Sequence, residues 1–208
     1  MRQVYILSAD NLLLGREEVA ALARPRNIEL SDRVLVLDSS FKDFSRLAYT
    51  KSVYRFLFSC QPESLLECIN KFNWNKIYKK DFCVRIKNFH IPIFTERGLA
   101  DAVWRRLKKP KTNLTNPKTR IEFVFVKGKV FCGLFMYEQD NYFFERAAHL
   151  RPGFHPTSMS PKLARALVNL SGVKKNGTLL DPFCGTGGIL LESSIVGCRT
   201  IGSDIDGD

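Results

Sequence analysis

No stretch of about 18 consecutive apolar residues occurs in the 208-residue chain, so no segment has the length a membrane-spanning helix needs. Histidine is scarce: His90, His149 and His155 are the only three, and no two stand three to five residues apart with a cysteine pair upstream. The six cysteines, Cys60, Cys68, Cys83, Cys132, Cys184 and Cys198, include no C-x-x-C pair. Neither a metal site nor a disulfide framework is therefore expected. Several cysteines sit in apolar surroundings, such as FLFSC at 56–60 and KVFCGLF at 129–135, and read as small core residues of a protein kept in a reducing, intracellular setting. No basic leader precedes the first apolar stretch, and Glu17 and Glu18 follow early, so a secretory signal is not expected. The triplet Asn113-Leu114-Thr115 consequently has no meaning as a glycosylation acceptor.

What the chain has in excess is positive charge, a formal +11, and that charge is confined. Residues 1–70 carry nine basic and nine acidic side chains, and residues 131–208 carry seven and eight. Between them, residues 71–130 carry sixteen basic against four acidic side chains. A basic excess restricted to one module is the footprint of a polyanion partner, because each cation set near a phosphate releases condensed counterions. A solvated basic surface without a partner is the alternative.

Periodicity divides the chain. Val4–Leu7, Arg33–Leu37 and Ser52–Ser59 read as strands, with a short strand near Asn27–Leu30. Gly15–Ala23 has the spacing of an amphipathic helix, as does Ser40–Tyr49 with Phe41, Phe44, Leu47 and Ala48 on one side. Two strand–helix passes of this kind predict a small α+β sandwich. Pro62 opens a helix running to about Phe72, and Asp81–Phe89 alternates as a half-exposed strand. Thr95–Lys108 is predicted helical with Leu99, Val103 and Leu107 inward, and Trp104 beside that stripe is assigned to the core. Lys108–Thr119 is a loop. Arg120–Val126 and Lys129–Tyr137 form a hairpin about Lys127-Gly128. A polar linker follows, then a helix at Pro161–Leu170 with Ser160 as N-cap. Thr178–Phe183 is read as a buried strand, Gly187–Val196 as a helix and Thr200–Asp204 as a further strand.

The motif that carries chemistry is DPFCGTGG at 181–188, between that strand and that helix. Its glycines allow a sharp turn and close approach of a ligand to the helix N-terminus. Asp204 stands nineteen residues after Gly185, at the end of the next strand, where a carboxylate can accept two ribose hydroxyls. A nucleoside triphosphate loop would need a lysine after the glycines, and none is there. The dinucleotide fingerprint fails at its sixth position, Leu190, and Asp181 would face a pyrophosphate with negative charge. S-adenosylmethionine has no phosphate and carries an ammonium, and suits the motif better. A ligand-free strand–helix turn is the remaining alternative.

DPFCGTGG followed by GSDID at 202–206 resembles the S-adenosylmethionine-binding motifs of class I RNA and DNA amino-methyltransferases. HPTSMSPKLARALVNL at 155–170 resembles the segment that lines the cofactor pocket in archaeal tRNA guanosine-10 N2-methyltransferases. DFCVRIKNF, GLADAVWRRL and NLTNPKTRIEFVFVKGKVFCGL resemble a THUMP domain, the RNA-binding module of tRNA-modifying enzymes. The resemblance implies an α+β ferredoxin-like domain at 1–60, an α/β THUMP domain at 61–138 and a linker at 139–159. From residue 160 it implies the first part of a Rossmann-like class I methyltransferase domain. S-adenosylmethionine would be held by Pro156, Thr157, Ser158, Asp181, Pro182, Phe183, Gly185, Gly187 and Asp204. The partner would be tRNA, gripped at its acceptor end, with no membrane and a cytoplasmic location. Lys108, Lys109, Lys111, Lys118 and Arg120 would contact phosphates, and Asn113 and Asn116 sugar or base edges.

One family feature is missing. No [D/N]-P-P-[F/Y] tetrapeptide, the motif that holds the target amine, occurs in the sequence, and two strands of the cofactor sheet are expected where about five form such a domain. The expectation is an N-terminal portion of a methyltransferase that binds RNA, with the catalytic motif beyond Asp208. A stand-alone RNA-binding module, or an enzyme acting on another tRNA position, ribosomal RNA or DNA, is the second reading.

Overall fold

The structure, a computed structural model, describes residues 1–89, 94–140, 142–153 and 155–205. His90 and Asp206, the last residue of GSDID, lie outside the described residues. The chain forms two compact units, and neither is a single stretch of sequence.

The first unit comprises Met1–Tyr5, Ile28–Asp38 and Val53–Tyr137. It is organised on a seven-stranded mixed sheet made of β1 (Arg2–Leu7), β2 (Ile28–Ser31), β3 (Val34–Asp38), β4 (Thr50–Cys60), β5 (Phe82–Asn88), β6 (Thr119–Val126) and β7 (Lys129–Glu138). The strand order is β2-β3-β1-β4-β7-β6-β5. β2 and β3 pair antiparallel, β5 and β6 parallel, and β6 and β7 antiparallel. The hairpin closes with Val126 opposite Lys129, and Gly128 takes φ 69° at the turn. Two helices, α2 (Leu65–Lys71) and α3 (Glu96–Trp104), supply Leu65, Ile69, Leu99 and Val103 to the core, where they meet Phe82, Ile121, Phe123 and Cys132. Burial of each such side chain is worth about 1.5–3 kcal/mol against leaving it in water. Trp74 is enclosed there, and its indole N–H donates to the Ile69 carbonyl at 2.7 Å.

α3 is shorter than its periodicity predicts. It is capped by Thr95 and stops at Trp104, after which the chain turns tightly through Leu107, whose N–H donates to the Trp104 carbonyl. Trp104 is 42% exposed rather than in the core, because the turn carries Leu107 inward and leaves the indole at the rim against Phe82.

The second unit comprises Ile6–Asn27, Ser39–Ser52 and the chain from Glu138 onward. Its helix α1 (Leu12–Ala23), N-capped by the Asn11 side chain, packs on α4 (Pro161–Leu170), which in turn packs on α5 (Gly188–Ile195). β8 (Thr178–Asp181) and β9 (Arg199–Gly202) flank α5 in sequence and pair parallel, giving the expected strand–helix–strand unit. β8 is not the buried strand its sequence suggests. Leu179 is enclosed but Leu180 is 61% exposed, because α5 covers one face and, among the described residues, nothing covers the other.

The segment 40–49 forms a single 3-10 turn at Phe44–Arg46 in place of the expected helix. The buried Glu18 carboxylate of α1 is the reason. It accepts the Ala48 and Tyr49 N–H groups at 2.8 Å each, donors that a helix would have sent to carbonyls four residues back. The Asn169 amide of α4 donates to the same carboxylate at 2.7 Å, while its oxygen accepts from Arg46 Nε at 2.7 Å.

Candidate functional site

β8 ends at Asp181, and the chain leaves it through an Asx turn in which the Asp181 carboxylate accepts the Phe183 N–H at 3.2 Å. The Gly187 N–H then bonds back to the Cys184 carbonyl at 2.8 Å. Gly187 takes φ 72° as the N-cap of α5, a conformation that costs a residue with a Cβ about 1–2 kcal/mol. The turn is stitched to the segment after β9: Cys184 N–H donates to the Ser203 carbonyl and Ser203 N–H to the Asp181 carbonyl, both at 3.0 Å. Gly202 makes that approach possible, since a Cβ there would stand 2.4 Å from Leu190 Cδ1 and 3.2 Å from Cys184 Cβ. Gly185 N–H finally donates to the Asp204 carboxylate at 2.6 Å, closing the loop on the acid nineteen residues away.

The upstream segment reaches the same place. His155 to Ser158 forms a compact turn: Ser158 N–H donates to the His155 carbonyl at 2.8 Å and His155 N–H to Ser158 Oγ at 3.0 Å. Ser158 Oγ and Thr186 Oγ1 then lie 3.0 Å apart, joining this turn to the glycine loop. Behind the loop, the fully buried Glu192 of α5 pairs with Arg165 of α4 at 2.7 Å and with Arg146 at 2.9 Å. Burial pulls the Arg146 guanidinium down, and the bonds to Glu192 more than offset it, so its pKa sits above the usual value. Such a buried network fixes how α5 presents its N-terminus.

Together these pieces wall a cleft of about 590 Å³. Of the sequence-predicted residues, Thr157, Ser158, Asp181, Phe183, Gly185 and Asp204 line it. Pro156 and Pro182 are exposed beside it, and Gly187 shapes the turn. His155, Met159, Cys184, Thr186, Gly188 and Ile189 also line it and were not anticipated as contacts. All but Ile189, which directly follows the glycine loop, lie inside the two quoted motifs, and the signal that could have found them is adjacency to the residues chosen. Phe183 stands 87% exposed at the lip. The cleft carries two carboxylates, Asp181 and Asp204, and no Lys or Arg among its lining residues.

The basic surface belongs to the first unit. Lys108, Lys109, Lys111, Asn116 and Lys118 are exposed on the loop after α3. Asn113 is turned to the loop's own use: its oxygen accepts the Thr115 and Asn116 N–H groups, and its nitrogen donates to the Asn116 carbonyl at 3.0 Å. Arg120 lies in β6 with its guanidinium 4.1 Å from the Phe135 ring centroid and 2.6 Å from the buried Glu122 carboxylate. Among the described residues, no cluster of His, Cys, Asp and Glu is placed to hold a metal ion, and no helix is long and apolar enough to cross a membrane. All six cysteines are free thiols.

Residues 148–204, which hold the cleft, match the family described as UPF0020: RMKL-like, methyltransferase domain. Over an alignment of 235 positions that spans 97% of its length, the chain is 39% identical to the tRNA (guanine(10)-N2)-dimethyltransferase of Methanocaldococcus jannaschii, of which it covers 66%. It is 36% identical over 165 residues, 77% of its length, to the protein of the same name from Methanothermobacter thermautotrophicus, of which it covers 49%. The chain is a relative of these methyltransferases. It spans between about half and two thirds of their length. The crystal structure of TrmN from Thermus thermophilus aligns with a TM-score of 0.61 at 22% identity, over 99% of this chain and 66% of that one. The structure of SMU.472 complexed with SAH aligns with a TM-score of 0.52 at 14% identity, over 94% of this chain and 55% of that one. The fold is accordingly methyltransferase-like α/β with a mixed sheet.

Proposed function

We propose that the cleft binds S-adenosylmethionine and that the protein methylates the exocyclic N2 of a guanosine in tRNA, position 10 being the site named for its relatives. The observation that carries the reading is the charge of the cleft: two carboxylates and, among its described lining residues, no lysine or arginine suit a sulfonium and ammonium donor and disfavour a phosphate. The SAH in the SMU.472 structure supports the same ligand class. Among the described residues, nothing lies within 4 Å of where a Cβ would stand on Gly185 or Gly187, so the loop backbone is open to close approach. When bound, the donor supplies an electrophilic methyl group. The chain's part is positional: Asp204 takes the ribose hydroxyls, Asp181 faces the ammonium, and Ser158, Thr157 and Phe183 enclose the donor.

Residues 61–138 act as a THUMP-type grip on the tRNA acceptor end, preceded by a ferredoxin-like segment at 1–60. The order β2-β3-β1-β4 of its strands and the basic loop at 108–118 support this assignment. Lys108, Lys109, Lys111 and Lys118 make the phosphate contacts, Asn116 reaches sugar or base edges, and Asn113 and Arg120 act through the loop and strand they hold. Free cysteines suit a cytoplasmic location. Calorimetric titration with S-adenosylhomocysteine, ATP and NAD tests the donor assignment. Binding of the first alone is expected, and tight binding of either phosphate ligand would refute it.

A further inference from the structure

We infer that Trp104 is a stacking platform for an unpaired base of the bound RNA. The inference rests on the RNA-binding reading of the basic unit and adds to it a contact of a different kind. The two tryptophans of the chain are in opposite situations. Trp74 is 1% exposed with its N–H bonded, whereas Trp104 ends α3 with 42% of its surface in solvent. Among the described residues its ring contact is with Phe82, at 6.2 Å between centroids and 41° between planes, so the indole is backed by the core while 42% of the residue faces solvent.

Its surroundings select the occupant. Arg105, Arg106, Lys108, Lys109 and Lys111 follow within seven residues, and all are exposed. This ledge is held by the protein itself. Asn75 donates to the Arg106 carbonyl and accepts the Lys108 N–H, both at 3.0 Å, while Arg106 Nε donates to Asn70 Oδ1 at 3.0 Å. The Tyr78 hydroxyl accepts the Lys111 N–H at 3.0 Å. A platform fixed before binding spares the ordering cost that a flexible aromatic would add. A second copy of the chain would bring the same cations against themselves, and an apolar protein surface would have to desolvate them. A polyanion that also offers planar faces satisfies both features, and a single-stranded nucleic acid is that ligand. Within a duplex the base faces are already stacked, so the indole discriminates an unpaired end from a paired one.

The test uses the full chain and two RNAs: a short hairpin with a four-nucleotide single-stranded 3′ overhang, and the same hairpin ending blunt. The overhang RNA is expected to quench tryptophan fluorescence, and Trp104→Phe is expected to bind with that quenching gone, Trp74 being enclosed. Trp104→Ala is expected to weaken the overhang RNA by about tenfold and the blunt RNA by less than about twofold, with an unchanged salt slope. An equal loss of affinity for the two RNAs in Trp104→Ala, no loss for the overhang RNA, or quenching that survives in Trp104→Phe, overturns the platform and leaves the RNA reading standing. Absence of salt-sensitive binding to either RNA overturns both. Self-association of the wild-type chain in sedimentation that Trp104→Ala abolishes assigns the indole to a protein contact and overturns the platform.

Discussion

The Gly185 N–H donates to the Asp204 carboxylate across 2.6 Å, so the first glycine of the loop after β8 is held by the acid that follows β9. One side chain thereby shapes the loop and lines the cleft it forms. A charge-assisted bond of this kind is worth about 1.5–3 kcal/mol, or about 10- to 150-fold in a coupled affinity. Asp204→Ala is expected to weaken S-adenosylhomocysteine by about 100-fold in calorimetry. Asp204→Asn is expected to fall between, because its oxygen can still accept the Gly185 N–H while the charge is lost. Equal affinities of the two variants would show that the lost charge, and not the loop contact, carries the whole effect.

Gly202 tests the same junction sterically. A methyl group there meets Leu190 Cδ1 at 2.4 Å and stands 3.1 Å from Cys184 Sγ and 3.2 Å from its Cβ, so the Leu190 side chain has to turn away from its place on α5. Overpacking of this sort costs about 1–3 kcal/mol. Gly202→Ala is expected to lower the unfolding free energy measured in urea by that amount and to weaken binding of the donor, since Leu190 lies on α5 and Cys184 in the loop. Gly153→Ala, where no described residue lies within 4 Å, is the control and is expected to change neither measurement.

The parts of the molecule that could be read in sequence are those specified locally. The DPFCGTGG turn needs its own glycines and the helix that follows, and Asp204 is reached by one strand–helix–strand repeat of ordinary length. The hairpin at Lys127-Gly128 and the cap at Ser160 are likewise set by neighbours in sequence. The misreadings arise where a distant partner decides. Residues 40–49 have helical spacing, yet Glu18, thirty residues upstream, claims their N–H groups. Asn113 looked available until Asn116 and Thr115 turned out to occupy it. Trp104 borders an inward stripe, and only the turn after it decides that Leu107 goes in and the indole stays out. Ser158 and Thr186 illustrate the same limit in the cleft, since nothing near either residue in sequence announces their 3.0 Å contact.

Glu18 makes a pH prediction with a defined sign. Burial pushes its carboxyl above the usual value of 4.5, and the hydrogen bonds from Tyr49, Ala48 and Asn169 only partly pull it back. The folded state therefore holds this proton more tightly than the unfolded chain does. The contribution is fully present below about pH 4.5 and is lost as pH rises through the raised folded value. Asp10 and Glu29 are shifted the other way by their lysine partners, so the total curve is composite. The difference between wild type and Glu18→Gln isolates the term: urea midpoints measured from pH 4 to 8 are expected to converge as pH rises. Glu18→Gln is also expected to be less stable by about 1–3 kcal/mol, because its amide NH₂ must face one of three donors. A constant difference across the range would count against a raised carboxyl.

The basic loop sets the salt response of RNA binding. If Lys108, Lys109, Lys111 and Lys118 each sit near a phosphate, they account for four of the counterions released, and neutralising them removes that part of the slope. With about six phosphates engaged in all, wild-type affinity for tRNA is expected to fall by about three orders of magnitude between roughly 50 and 200 mM salt. The variant with all four changed to Ala is expected to bind more weakly at low salt and to lose about three units from the slope of log affinity against log salt. Changing Asn113 to Ala should act differently. It removes the bonds that shape residues 113–116 without removing charge, so affinity should drop while the slope stays near the wild-type value. A quadruple variant with an unaltered slope would place the phosphate contacts elsewhere on the sixteen basic residues of 71–130, and the arginines of α3 and its following turn would be the next to change.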